Sequence, residues 1–215
     1  WPVVLPVTPY RRLRRRSGRP YTETASWARV AVLYLASRRF AQSLVASNPS
    51  NHAARRTLAL AHEKMSDVDA WGGKVPDGVA HARSALQEWR SLGTAHPGSA
   101  TLTRAVATSH LKLGDLLGNP HLPNLGESAN AAREYRHALE LLHSVSQDSA
   151  ADWGTRRLLA LVHERIGAVM TAQGRHDDAI AELVRALEIR EGLVRERSAS
   201  VKDHFSQATM FWNSM

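Results

Sequence analysis

The apolar positions of this chain recur at helical steps over most of its length. Between Arg156 and Arg190, Leu159, His163, Ile166 and Met170 stand four, three and four residues apart, and Ile180, Leu183, Leu187 and Val194 keep a similar rhythm. Such spacing places each set on one face of an α-helix. Gln173-Gly174-Arg175 separates the two sets. Gly174 suits the left-handed residue that closes a helix, and Asp177 and Asp178 suit the positive N-terminal end of the next. The pattern predicts a helical hairpin in which Leu183 and Leu187 face Leu159 and Ile166. A lone hairpin cannot bury both of its faces, so neighbours of the same kind are expected. Across the chain the same reasoning predicts helices near 25–47, 52–71, 77–94, 100–117, 128–145, 153–172, 176–196 and 200–211.

Those neighbours are visible as repeats. Arg55-Arg56-Thr57-Leu58-Ala59-Leu60-Ala61-His62 matches Arg156-Arg157-Leu158-Leu159-Ala160-Leu161-Val162-His163, with a weaker copy from Arg104 to His110. Setting His62, His110 and His163 in register aligns Arg56 with Arg104 and Arg157, and Met65 with Leu113 and Ile166. The offsets are 48 and then 53 residues. Ala85-Leu86, Ala138-Leu139 and Ala186-Leu187 align in the second halves, and the five extra residues of the middle unit fall between Gly118 and Glu127, an elongated loop by its composition. Self-similarity at this period predicts an all-α fold, an α-solenoid of stacked antiparallel helical hairpins. The units run about 51–97, 98–148 and 149–197, with a leading helix at 25–47 and a truncated fourth unit at 198–215 that begins after the joint Glu196-Arg197-Ser198.

The spacing His163-x-x-Ile166-Gly167-x-x-Met170, then Ala179-x-x-x-Leu183-x-x-Ala186, resembles the tetratricopeptide repeat. The family's small residues are matched at Gly167, Ala179 and Ala186, while its Trp and Tyr positions hold His163 and Met170 and its terminal Pro is Glu191. The middle unit matches with Gly114, Ala131, Tyr135 and Ala138; the first departs further, with Ser66 and Gly78 at the small positions. The period is longer than the usual repeat, so longer helices are expected. Leu113-Gly114-Asp115-Leu116-Leu117-Gly118-Asn119-Pro120, followed by Asn124-Leu125-Gly126-Glu127, is similar to a loop in the long repeats that follow the kinase domain of bacterial eukaryotic-like serine/threonine kinases. The resemblance covers roughly residues 30–215. It implies a protein-binding scaffold in a signalling protein, with any catalytic domain outside this sequence, because no Gly-rich nucleotide loop, HRD or DFG occurs. A fragment of a longer protein is expected, since the sequence does not open with Met, and its place is the cytoplasm or a membrane reached through an upstream region.

Composition refines this picture in two ways. Aromatic residues are only 6% of the 215, which favours helix over sheet, and the absence of cysteine removes disulfides, thiolate metal sites and a Cys nucleophile. The net charge of +8 is mostly local. Arg11, Arg12, Arg14, Arg15, Arg16 and Arg19 lie in the first twenty residues with no acid, and without them the remainder carries about +2. Residues 1–24, punctuated by Pro2, Pro6, Pro9 and Pro20, are therefore expected to form a disordered basic arm. An alternative function lives there: binding of nucleic acid or an acidic membrane through Arg11–Arg16. Nucleic acid is not the expected partner of the helical part, and no stretch is apolar and long enough for a membrane span.

Chemistry is sparse. His62-Glu63 and His163-Glu164 open like a zinc-protease helix, but the second His four residues on is missing, with Ser66 and Gly167 in its place. One shared repeat position explains His62, His110 and His163 as half-buried, hydrogen-bonded stand-ins for an aromatic residue. No G-x-S-x-G nucleophile site occurs, and Glu63 with Asp67 is an ordinary i,i+4 pair. No cofactor, metal or catalytic residue is expected, and the chain reads as a non-enzyme that binds a protein or peptide. The first helix of each hairpin should line a groove. Arg56, Glu63 and Asp67 form one stripe there, with Arg104, Leu111 and Asp115, then Arg157, Leu161 and Glu164, as counterparts. The alternative is an ordinary solvated face with charges of both signs. Some tetratricopeptide domains clamp a chaperone's terminal carboxylates with Lys and Asn; Glu63, Leu111 and Glu164 stand where Lys is wanted, which argues against that partner.

Overall fold

The computed structural model describes residues 23–148 and 152–213, with side chains described over 32–146 and 152–197. The basic arm, with Arg11–Arg19, lies outside these residues apart from its last two positions, as does the function suggested for it. Seven helices make up the described residues: α1 (Glu23–Ser47), α2 (His52–Trp71), α3 (Val75–Ala95), α4 (Ala100–Gly118), α5 (Ser128–Asp148), α6 (Trp153–Ala172) and α7 (His176–Asn213). Among the described residues there is no strand, and no helix is long and apolar enough to cross a membrane. Each helix packs chiefly on its sequence neighbours, most closely within the pairs α2/α3, α4/α5 and α6/α7, and α4 also touches α6. Short connections between packed helices make those neighbours antiparallel.

The boundaries follow local chemistry. Asn51, Ser99 and Asp152 cap α2, α4 and α6, each side chain accepting from a backbone N–H of the first turn (Ala54, Leu102 and Gly154). Gly73 and Gly174 turn the chain between the helices of the first and third pairs at φ 83° and 75°, where a side chain would be strained. The elongated segment after Gly118 is a hydrogen-bonded loop. Leu125 and Glu127 donate their N–H groups to Leu116 and Leu117 carbonyls at 3.0 and 2.7 Å, and Asn124 Nδ2 donates to the Asn119 carbonyl at 2.7 Å.

One core runs through the pairs. Leu86, Trp89, Val106, Leu113, Leu117, Tyr135, Leu142, Leu159, Val162 and Ile166 are among its buried members. The two helices of each pair approach closely beside a glycine. A Cβ added at Gly78 would lie 3.0 Å from the Ser66 carbonyl oxygen, one at Gly114 2.5 Å from the Tyr135 ring, and one at Gly167 3.0 Å from Leu183 Cγ and 3.3 Å from the Ala179 oxygen. Ser66, Gly114 and Gly167 are equivalent by the repeat offsets, and so are Gly78, Ala131 and Ala179.

Two expectations are corrected. The helix beginning at His176 does not stop near 196; its backbone continues unbroken to Asn213, so no separate helix begins near 200. Glu196-Arg197-Ser198 contains neither Pro nor Gly, unlike Asn48-Pro49 and His96-Pro97-Gly98, and nothing in it opposes helix. On α7 the face turned to α6 is the expected one only at Leu183, which lies over Gly167. Ala179, Ala186 and Leu193 are buried, whereas Ile180, Leu183, Leu187 and Val194 are exposed, from 43% for Leu183 to 64% for Val194. Two apolar stripes run side by side on this helix, and periodicity cannot say which one meets the partner.

Candidate functional site

Contacts at equivalent positions set the frame on which any site is built. Within the second and third pairs a His on the first helix meets a Glu on the second: His110 Nδ1 lies 2.7 Å from Glu134 Oε2, and His163 Nδ1 2.6 Å from Glu182 Oε2. In the first pair the equivalent of Glu134 is His81, and His62 Nδ1 stands 3.0 Å from His81 Nδ1. One ring of that pair must donate and the other accept, so the accepting ring is neutral and the two cannot both be protonated in this contact. Burial first, then His81 and Arg38, pushes His62 down to about 4. Burial also lowers His81, against the pull of Asp69 and Asp77 and with the help of Arg38. His110 is lowered by burial despite Glu134. Among the described residues no group of three or more His, Asp or Glu is arranged to hold a metal ion.

Between pairs the lacing is ionic, and it too repeats. Asp67 on α2 pairs with Lys112 Nζ on α4 at 2.7 Å, and Asp115 on α4 pairs with Arg165 Nε on α6 at 3.0 Å. Asp67 and Asp115 are equivalent by the first offset, Lys112 and Arg165 by the second. Asp115 does more than bridge. It accepts from Tyr135 Oη at 2.8 Å and from Asn119 Nδ2 at 2.7 Å, so one carboxylate ties α4, the long loop, α5 and α6 together. The buried Tyr135 hydroxyl has its pKa raised by burial and then by this carboxylate, which keeps it a donor.

The nine sequence-chosen residues divide accordingly. Glu63, Asp67 and Asp115 belong to these joints: Glu63 Oε1 accepts from Trp89 Nε1 at 2.7 Å, and its backbone carbonyl accepts from Lys112 Nζ at 3.1 Å. Leu111 is buried in the core at 6% exposure and can line no groove. Arg56 is exposed on α2. Arg104, Arg157 and Leu161 do come together, and Glu164 stands nearby, pairing with Arg190 Nη2 at 2.6 Å.

Their meeting place is an open groove of about 1080 Å³ between α4, α6 and α7. Leu158, Leu161, Leu193 and Val194 supply its apolar surface, and Arg104, Arg157 and Arg190 its charge. Arg104 is held by Asp152 and lies 3.5 Å from Thr155 Oγ1. Arg157 differs. Its guanidinium stands over the Trp153 ring, 5.7 Å from the centroid, and among the described residues it has no carboxylate partner. Trp153 itself is 45% exposed at the start of α6. Sequence reasoning missed Trp153, Arg190 and Leu193. Trp153 and Arg157 at i,i+4 were legible as a cation–π spacing, whereas Arg190 and Leu193 reach the groove only through tertiary packing. No family model matches the chain, and no curated protein matches it.

Proposed function

We propose that this chain is a tetratricopeptide-like α-solenoid acting as a non-catalytic scaffold, and that the groove between α4, α6 and α7 takes an extended segment of a protein partner. The segment pairs an acidic side chain with apolar neighbours. The main support is Arg157: a planar cation with several N–H donors, oriented by an aromatic face, unpaired by any described carboxylate, and bordered by Leu158 and Leu161. A guanidinium so placed accepts a carboxylate in two-point contact, and apolar side chains beside it exclude water from that contact. The charges of Arg104 and Arg190 are balanced by Asp152 and Glu164, which leaves Arg157 as the groove cation without a described carboxylate partner.

The repeat class rests on a separate support, the recurrence of three kinds of contact at equivalent positions: small residues at the close approach, His against Glu or His within a pair, and carboxylate against cation between pairs. The similarity of 113–127 to loops in kinase-associated repeats extends the proposal to an interaction arm of a signalling protein such as a serine/threonine kinase.

Selection from a random displayed-peptide library on the full chain, with Leu161→Glu as counter-target, tests the groove. Leu161 is half-buried on the groove wall, so a carboxylate there repels the proposed ligand with little damage to the core. Enrichment of peptides carrying Asp or Glu beside Leu, Ile or Phe, lost on the variant, is expected. Enriched peptides that are basic, or that bind both proteins equally, would place the site elsewhere.

A further inference from the structure

The outer face of α7 carries Ile180, Leu187 and Val194 in the open, at 58%, 55% and 64% exposure, with Leu183, 43% exposed, at its edge over Gly167 of α6. By the repeat offsets Ile180 is equivalent to Ala132 and Val79, Leu183 to Tyr135 and Ala82, and Leu187 to Leu139 and Leu86. In the earlier pairs these positions are covered. Val79, Ala82, Leu86 and Tyr135 are buried, and Ala132 and Leu139 pack against the core. There a further helix follows and packs on α3 and on α5. The face of α7 is thus built to receive a helix, and a shallow depression of about 390 Å³ lies on it, lined by Leu187, Arg190, Glu191, Val194 and Arg195.

The geometry restricts what that helix is. Successive helices in this chain run antiparallel, so the cover runs antiparallel to α7. The sequence after Ser198 has the required apolar spacing, with Val201, Phe205, Ala208 and Trp212 at steps of four, three and four. Yet α7 is one unbroken helix of 38 residues. At about 1.5 Å per residue it carries residues 198–213 from about 6 Å to about 28 Å beyond Val194, where they cannot lie on their own helix. They can lie on another copy's. An antiparallel pair of α7 helices with a two-fold axis near residue 196 sets Trp212 opposite Ile180, Phe205 opposite Leu187 and Ser198 opposite Val194, twice over by symmetry.

We propose that this face is the contact surface for a second copy of the chain, each copy laying residues 198–213 on the stripe from Ile180 to Val194 of the other. The contact is isologous and exchanges equivalent segments, as domain-swapped dimers do. The two surfaces share Arg190 and Val194, whereas Ile180, Leu183 and Leu187 do not line the peptide groove, so a substitution at Leu187 tests this contact apart from the groove reading.

Sedimentation velocity of the full chain over a range of concentrations tests it. A dimer is expected, and Leu187→Glu is expected to weaken it by more than about tenfold in Kd, because a carboxylate would be buried against the partner's apolar residues. Leu187 is exposed in the single copy, so helicity by circular dichroism should be unchanged in the variant. The absence of cysteine allows a second measurement. Leu187→Cys and Phe205→Cys copies, mixed and oxidised, should form a mixed disulfide dimer, and the double variant should crosslink between chains. A species that stays monomeric at every concentration overturns the proposal. So does a double variant that closes its disulfide within one chain, which would mean that residues 198–213 fold back on their own helix. A dimer indifferent to Leu187→Glu would place the interface on another surface.

Discussion

Replacing Gly114 by Ala adds one methyl group where α4 and α5 approach closely, at the tightest of the described glycine positions. The new Cβ would lie 2.5, 2.7 and 3.0 Å from Cε1, Cδ1 and Cζ of Tyr135. Carbon atoms in good contact stand about 3.5–4.0 Å apart, so the ring must retreat by about 1 Å. It has no room, being fully buried, and its hydroxyl is fixed on Asp115 at 2.8 Å. Overpacking of this kind costs about 1–3 kcal/mol. Losing a hydrogen bond to a charged carboxylate costs about 1.5–3 kcal/mol. The better helix propensity of Ala returns about 1 kcal/mol. The net expectation is a loss of about 2–4 kcal/mol. Gly93 provides the control. It lies near the end of α3 with no atom within 4 Å of an added Cβ, and Gly93→Ala should stabilise by about 0.5–1 kcal/mol. Urea unfolding followed by far-ultraviolet circular dichroism measures both. A Gly114→Ala protein as stable as the parent would mean that α4 and α5 do not approach as described, and equal effects of the two substitutions would refute the packing argument altogether.

Acid should weaken the first pair most. His62 and His81 have lowered pKa values in the fold, so protons bind the unfolded chain better; stability is full above about pH 6.5 and falls as the pH drops toward 4. Partial exposure screens the charge and holds the loss to about 1–2 kcal/mol, and His81→Glu, which copies the contact of the other pairs, should flatten the pH dependence of the melting temperature. A parent whose melting temperature is level from pH 7.5 to 5 would contradict this. Asp67→Ala should cost about 0–1 kcal/mol as a half-exposed ion pair, whereas Asp115→Ala should cost about 2–3 kcal/mol because Tyr135 and Asn119 lose their acceptor as well; equal losses in chemical denaturation would deny Asp115 its bridging role. Leu183→Ala should cost only about 1 kcal/mol, against about 2–5 kcal/mol for the buried Leu142→Ala, and the reverse order would put the outer stripe of α7 inside the core.

Apart from the end of α7, the helices were legible in the sequence to within a few residues because caps, turn glycines and apolar spacing agree at Asn51, Ser99, Asp152, Gly73 and Gly174. The repeat was legible because close approach admits only small residues, so Ser66, Gly114 and Gly167 mark it whatever surrounds them. Two things were hidden. On α7 the stripes Ala179–Ala186–Leu193 and Ile180–Leu187–Val194 are one residue apart, and only tertiary packing selects between them. On α4 and α6, Arg104 and Arg157 share a repeat position, yet one pairs with Asp152 and the other stands over Trp153. Partner choice by a long, flexible cation depends on what the neighbouring pair presents, and spacing does not encode it. Glu63, Asp67 and Asp115 were drawn to the candidate site for the same reason: a charged stripe reads alike whether it faces a partner or laces one helix pair to the next.

The most direct test of the proposed function is a charge swap at Arg157. A peptide selected on the full chain, carrying one acid beside apolar residues, is titrated by fluorescence anisotropy against the parent and against Arg157→Glu, and a second peptide with Lys in place of the acid is titrated against both. The account predicts that Arg157→Glu weakens the acidic peptide by more than about tenfold and that the Lys peptide regains binding on the variant, a coupling expected of a close charge pair. Binding of the acidic peptide that is unchanged by Arg157→Glu, or a Lys peptide that binds neither protein, would contradict it.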